Sequence, residues 1–218
     1  FEEKLQLLLK INNEKKITWK GKFRPALNNQ EIFPRPFNDK LDIWVAVGGT
    51  PESVVRAGSL GLPVIFAIIG GNPANFKPLF EYYEKVWEHY NHPKEKFRVG
   101  VHMHALFGEN GKQLADEYYP LYAAQMNRVG RSRGWPPYQR HQFDQGRGPN
   151  GHLVVGEANE AIDKILKMHE MFGLDRFYAH MDVGAPSHKT MMKSIEIYGT
   201  KIAPKVREAL KEKTQVVQ

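Results

Sequence analysis

The sequence predicts an α/β fold of parallel strands covered by helices. Three observations point there. Short apolar runs alternate with helix-length amphipathic segments in four successive units. The strand runs are apolar throughout, as expected when both faces of a sheet are covered. Glycines punctuate the joins between runs and helices. Two closures fit this alternation, an open doubly wound sheet or part of an eight-stranded barrel. A whole (β/α)8 barrel takes roughly 250 residues and eight such units, so four units make either a small open sheet or half a barrel.

The elements follow in order. Glu2 to Ile11 carries Leu5, Leu7, Leu8, Leu9 and Ile11 between charges and reads as a helix with a broad buried face. Thr18 to Arg24 reads as a short strand or hairpin arm. Pro25 to Leu41, with prolines at 25, 34 and 36, is expected to be irregular. The first unit is a strand from Ile43 to Val47 and a helix from Pro51 to Leu60, which Gly61 ends. The second is Val64 to Ile69, then Gly70-Gly71 and a helix from Asn75 to Tyr90. The third is Phe97 to Phe107 with a helix from Lys112 to Val129. The fourth is Arg176 to Met181 with a helix from Ser187 to Leu210, interrupted near Pro204. Between the third and fourth lies an insertion, Gly130 to Gly151, rich in Gly, Pro and Arg. Leu153 to Gly156 and a helix from Ala158 to Phe172 follow it.

Composition narrows the function classes. The 218 residues suit one domain with a single sizeable core. There are no cysteines, so disulfides, thiolate catalysis and cysteine-type zinc sites are excluded, and a cytoplasmic setting is expected. No apolar run is long enough to span a membrane. The net charge of +7 is spread along the chain rather than clustered with aromatics, which argues for a solvated basic surface and against nucleic acid.

Several residues carry possible chemistry. In "WVAVGGTPES", Thr50 suits an N-cap and Pro51 the first helical position. Backbone N–H groups at such a helix start can cradle an anion, Gly48 and Gly49 leave it room, and Ser53 adds a hydroxyl. Glu52 must then point away. The same pattern also serves as an ordinary tight turn. Ile69, Gly70 and Gly71 end the neighbouring strand with a second glycine pair, where a flat ligand can approach the backbone. His102 and His104 lie two apart on a strand and share a face. His180 and Asp182 do the same at the end of the fourth strand. No third ligand stands at a recognisable spacing, so no metal site is expected. No P-loop, no G-x-G-x-x-G and no Ser-His-Asp order occurs.

Ile43 to Ile69, "IWVAVGGTPESVVRAGSLGLPVIFAII", resembles the fifth and sixth strands of the flavin-dependent luciferase-like monooxygenases. "IFPRPF" before it, "MNRVGRSRGWPP" in the insertion and "DVGAPSHKTMMKSIEIYGTKIAPKVRE" near the end extend the resemblance over essentially the whole chain. It implies a TIM-type (β/α)8 barrel of which this chain holds the C-terminal half, the last four β/α units plus an insertion. The cofactor implied is FMN, or alternatively a deazaflavin. Its phosphate would be held by Gly48, Gly49, Thr50 and Ser53, with Ile69, Gly70 and Gly71 flanking it. The activity implied is that of a monooxygenase or oxidoreductase acting on a small organic substrate. His102, His104, His180 and Asp182 are the candidate catalytic residues. The insertion, residues 130–151, would act as a lid, with Arg128, Arg131, Arg133 and Arg140 able to close over an anion. The unpaired edges of half a barrel imply a homodimer, or association with the missing N-terminal half. A non-catalytic flavin- or phosphate-binding fragment is the alternative.

Overall fold

The computed structural model describes residues 1–216, of which 212–216 are described by backbone alone. Two compact units are distinguished, Phe1–Ile43 and the chain from Trp44 onward.

The first unit opens with α1 (Glu2–Asn13), which buries Leu5 and Leu7. Strands β1 (Lys16–Trp19) and β2 (Leu27–Glu31) pair antiparallel. The Glu3 carboxylate accepts the backbone N–H groups of Lys22 and Phe23 at 2.8 and 3.0 Å, tying the hairpin to α1. Strand β2 corrects the expectation that Pro25 to Leu41 is irregular throughout. Its residues, LNNQE, are almost all exposed and carry no apolar alternation. The β1 ladder satisfies its backbone, and the Thr18 hydroxyl accepts the N–H of Asn29.

The second unit is a parallel sheet with helices packed on it. Its elements are β3 (Val45–Val47), α2 (Pro51–Ser59), β4 (Val64–Ala67), α3 (Lys77–His89), β5 (Val99–Phe107), α4 (Gly111–Arg131), α5 (Arg140–Arg147), β6 (Leu153–Gly156), α6 (Ala158–Phe172), β7 (Arg176–His180), α7 (His188–Ile197) and α8 (Ala203–Val216). Strand β3 pairs β4, and β4 pairs β5. The nine-residue β5 also pairs β7 through Gly100 to His104 and β6 through His104 to Phe107. All these pairings are parallel. Beyond the four units expected, Leu153 to Gly156 forms a fifth strand, buried along its whole length. The insertion is not all loop, because Arg140–Arg147 forms α5, started by a capping box between Gln139 and Gln142.

Packing explains several boundaries. The larger core joins Val47, Phe66, Val101, Tyr83, Trp87 and Phe172 from the sheet, α3 and α6. Helices α2 and α3 meet closely at Gly58, where a Cβ would stand 2.7 Å from Val86 Cγ1. Helix α6 starts with a Glu157–Glu160 capping box and ends at Gly173, whose φ of +58° provides a left-handed cap. The last helix is interrupted at a π-helical turn, Tyr198–Ile202, one turn before Pro204. Pro204 has no N–H to offer the preceding turn and its ring crowds the carbonyl four residues back, which favours a widened turn there. Buried Ser194 on α7 accepts the N–H of Phe107 at 2.9 Å, fixing α7 to the end of β5.

Candidate functional site

The sheet brings His102, His104 and His180 together, with Asp182 just past the end of β7. The β5–β7 register sets His104 opposite His180 and His102 opposite Tyr178. Residues two apart share a face, so His102, His104 and His180 converge on one side of the sheet. His102 Nε2 lies 2.9 Å from His180 Nδ1, and His180 Nε2 lies 2.6 Å from Asp182 Oδ1. The carboxylate only accepts, so a neutral His180 donates Nε2–H to it, and its Nδ1 then accepts from His102. The His104 ring stands edge-on to His180, with centroids 5.3 Å apart. His104 Nδ1 lies 2.9 Å from the Tyr122 hydroxyl of α4.

Burial sets the protonation of this group. His104 is 6% exposed. Removal from water, reinforced by His180 and the other imidazoles around it, pushes its pKa down to about 3, against a smaller opposing effect of Asp182. His102 is also pushed down, by burial first and His180 second. Burial raises Tyr122 far above the ordinary phenol value, so it stays an O–H group.

His104, His180 and Asp182 line a cleft of about 630 Å³ at the C-terminal ends of the strands. Ile69 lies on its wall, with Leu121 and Val129 of α4. The insertion side supplies Arg128, Arg133 and Trp135. The Arg133 guanidinium sits 5.0 Å over the Trp135 ring, and Trp135 packs against Gly130, where a Cβ would stand 3.1 Å from its own. The other two arginines of the expected lid are placed differently. Arg131 is exposed and off the cleft wall. Arg140 is held by Asp116 at 2.7 Å and Asp144 at 2.8 Å, which removes it as a free cation for a ligand.

The glycine turn is a separate feature that does not line this cleft. Thr50 is the N-cap of α2 with Pro51 at the first turn, as its sequence reads. Thr50 Oγ1 and Ser53 Oγ are 2.8 Å apart, and the Thr50 side chain caps no backbone N–H. Gly49 has a φ of +119°, which only glycine adopts without strain. At Gly48, Gly49, Gly70 and Gly71 the space a Cβ would fill is empty to 4 Å. His188 is exposed at the start of α7, whose N-cap is Ser187.

Three buried polar groups escaped sequence reasoning. Tyr122 reads as an apolar-face residue of α4 and reveals its partner only in three dimensions. His152 is buried, and burial lowers its pKa to about 4 against a hydrogen bond to the Gly71 backbone. Lys164 is buried on α6 and donates to the carbonyls of Arg147 at 2.9 Å and Leu153 at 2.6 Å. Burial, then Arg147, lowers its pKa to about 8. A signal for Lys164 was available, since it lies three after Ala161 and four before Met168, on the buried stripe. Lys164 and Arg147 also border a groove of about 310 Å³ behind β6. Both are occupied with backbone carbonyls there, so the groove is a structural seam. Among the described residues no group of three His, Asp or Glu could hold a metal ion, and no helix is long and apolar enough to cross a membrane.

The family model for luciferase-like monooxygenases matches residues 1–175. The chain belongs to the luciferase-like monooxygenase family. Solved structures agree at the level of fold. The monooxygenase RslO1 from Streptomyces bottropensis superposes with a TM-score of 0.69 at 18% identity, covering 94% of this chain and 60% of that one. The oxygenating constituent of 3,6-diketocamphane monooxygenase from Pseudomonas putida, solved with FMN, gives 0.62 at 16% identity, covering 94% and 62%. An F420-dependent secondary alcohol dehydrogenase, solved with an F420-acetone adduct, gives 0.63 at 13% identity, covering 94% and 59%. The luciferase-like chain therefore spans about 60% of the length of these structures. An uncharacterized protein, y4vJ, from Sinorhizobium fredii is 32% identical over 75 residues, 34% of this chain and 20% of that protein.

Proposed function

We propose that this chain is the C-terminal half of a luciferase-like barrel and binds a flavin, with the phosphate seated at the Gly48–Ser53 turn. The observation that carries the reading is the cleft at the C-terminal strand ends, the edge at which parallel α/β folds bind ligands, with His104, His180 and Asp182 converging in it. The residues present fit a phosphate, because no side chain fills the turn at Gly48, Gly49, Gly70 or Gly71. The first-turn N–H groups of α2 and the Thr50 and Ser53 hydroxyls would hold it. A bound flavin would supply the redox chemistry. The chain's own part is positioning. Ile69 offers an apolar wall, Arg128 and Arg133 favour an anionic group in the cleft, and the histidine cluster holds or moves protons beside the substrate. Residues 130–151, anchored by Trp135, cover one side of the cleft as a lid.

FMN is the first cofactor reading. The F420-dependent neighbour superposes as well as the FMN-bound one, so deazaflavin is the second. The test is titration of the chain with FMN, F420 and riboflavin, which lacks the phosphate. Thr50→Ala with Ser53→Ala is expected to weaken FMN by about ten-fold or more while leaving riboflavin unchanged. Unchanged FMN affinity in the double variant would overturn the phosphate assignment. No binding of any of the three would overturn the flavin reading itself.

A further inference from the structure

We propose that Tyr122 is a positioning residue that fixes His104 in the tautomer protonated on Nε2, so that a neutral N–H donor faces the cleft toward an oxygen acceptor of the bound ligand. The donor role rests on the cleft being the reaction site; the tautomer assignment does not.

Tyr122 is fully buried on α4, packed among the rings of Tyr118, Tyr138 and Phe143. Among the described residues its hydroxyl has one partner, His104 Nδ1, at 2.9 Å. A phenol so deeply buried keeps its proton and must place it on an acceptor. The Nδ1 lone pair is that acceptor, so the imidazole proton belongs on Nε2. The opposite tautomer would aim Nδ1–H at the phenol oxygen and strand the tyrosine O–H without an acceptor. Stranding a buried donor disfavours that arrangement roughly ten- to a hundred-fold. His104 lines the cleft, and with Nδ1 engaged, Nε2 is the ring nitrogen left to serve it.

The other half of the cluster has a different polarity. Asp182 holds an N–H of His180 on Nε2, so that a neutral His180 turns its Nδ1 lone pair to His102. The cleft therefore presents an N–H donor at His104 and carboxylate lone pairs at Asp182, and the two histidines facing each other across β5 and β7 are not interchangeable. His104 offers a hydrogen bond without offering a charge.

Long-range ¹H–¹⁵N correlation of the imidazoles, recorded near neutral pH on the ligand-free chain, tests this. His104→Asn identifies the His104 signals. The wild-type chain should show His104 neutral with its proton on Nε2. In Tyr122→Phe, which keeps the ring packing, the bias should fall by at least ten-fold and both tautomers should appear. A wild-type His104 protonated on Nδ1, or an imidazolium, would overturn the proposal. So would a Tyr122→Phe spectrum, from a folded variant, that matches wild type. FMN titration of the same samples by fluorescence keeps the two readings apart. Failure to bind flavin would defeat the proposed function and leave the tautomer result standing.

Discussion

Replacing His104 with asparagine should remove part of the chain's acid sensitivity. The native pKa of His104 is held near 3, against 6.5 in the unfolded chain. A histidine whose folded pKa is depressed is neutral when native and takes up a proton when unfolded. Its contribution is therefore intact above about pH 6.5 and is lost progressively as pH falls toward about 3. At about pH 5 the unfolded imidazole is almost fully protonated and the native one is not. The loss relative to pH 8 is then about 2 kcal/mol, set by the distance from 6.5 down to the working pH at about 1.4 kcal/mol per unit. It does not depend on whether the native value is nearer 3 or 4. Buried His152, held near 4, adds a loss of the same sign and about the same size. Asparagine keeps an acceptor close to where Nδ1 faces Tyr122 and cannot titrate. Urea unfolding at pH 8 and about pH 5, with a check that the slope against urea is unchanged, measures the difference. The wild-type chain should lose about 2 kcal/mol more than His104→Asn between these conditions. Parallel losses in both proteins would refute the reasoning, because the buried imidazole would then be drawing no proton on unfolding.

Lys164→Met should destabilise the chain by about 1–3 kcal/mol, since it removes the donor that serves two carbonyls, one of them buried in β6. Urea unfolding gives the size, and faster amide exchange confined to α5 and β6 would locate the effect; unchanged stability would mean that water replaces the ammonium without cost. Among the described residues β3 pairs only with β4 and β7 only with β5, so each presents an open edge. The chain is expected to self-associate, or to bind a separately expressed complementary half-barrel, and light scattering showing a well-folded strict monomer that ignores such a partner would count against this.

Local signals made much of the fold legible. Helix α6 was readable to its last residue because a capping pair opens it and a left-handed glycine closes it. The histidine cluster was readable as pairs, because side chains two apart on a strand share a face whatever the tertiary structure. That the two pairs meet depends on the β5–β7 register, which no local pattern states. Strand β2 was illegible because an exposed ladder needs no apolar residues, and β6 because three apolar residues and a glycine suit a loop or a strand equally well. Arg140 looked available as a cation, yet it is held by two carboxylates, one of them 24 residues away on α4. Tyr122 shows the limit most clearly, since its spacing places it on a buried stripe and says nothing about which acceptor its hydroxyl will find.

One detail of the sheet bears on how such a chain can change over time. His104 belongs to two ladders at once, opposite Leu153 in β6 and opposite His180 in β7. The segment between α4 and β6, which begins beyond Tyr122 and where length and composition are freest to drift, reaches the His104 backbone through only one of them. If an insertion, deletion or exchange there disturbed β6, the ladder to β7 would still hold His104 at its station. New surroundings for a ligand can then be tried in that stretch without first rebuilding the donor that meets it.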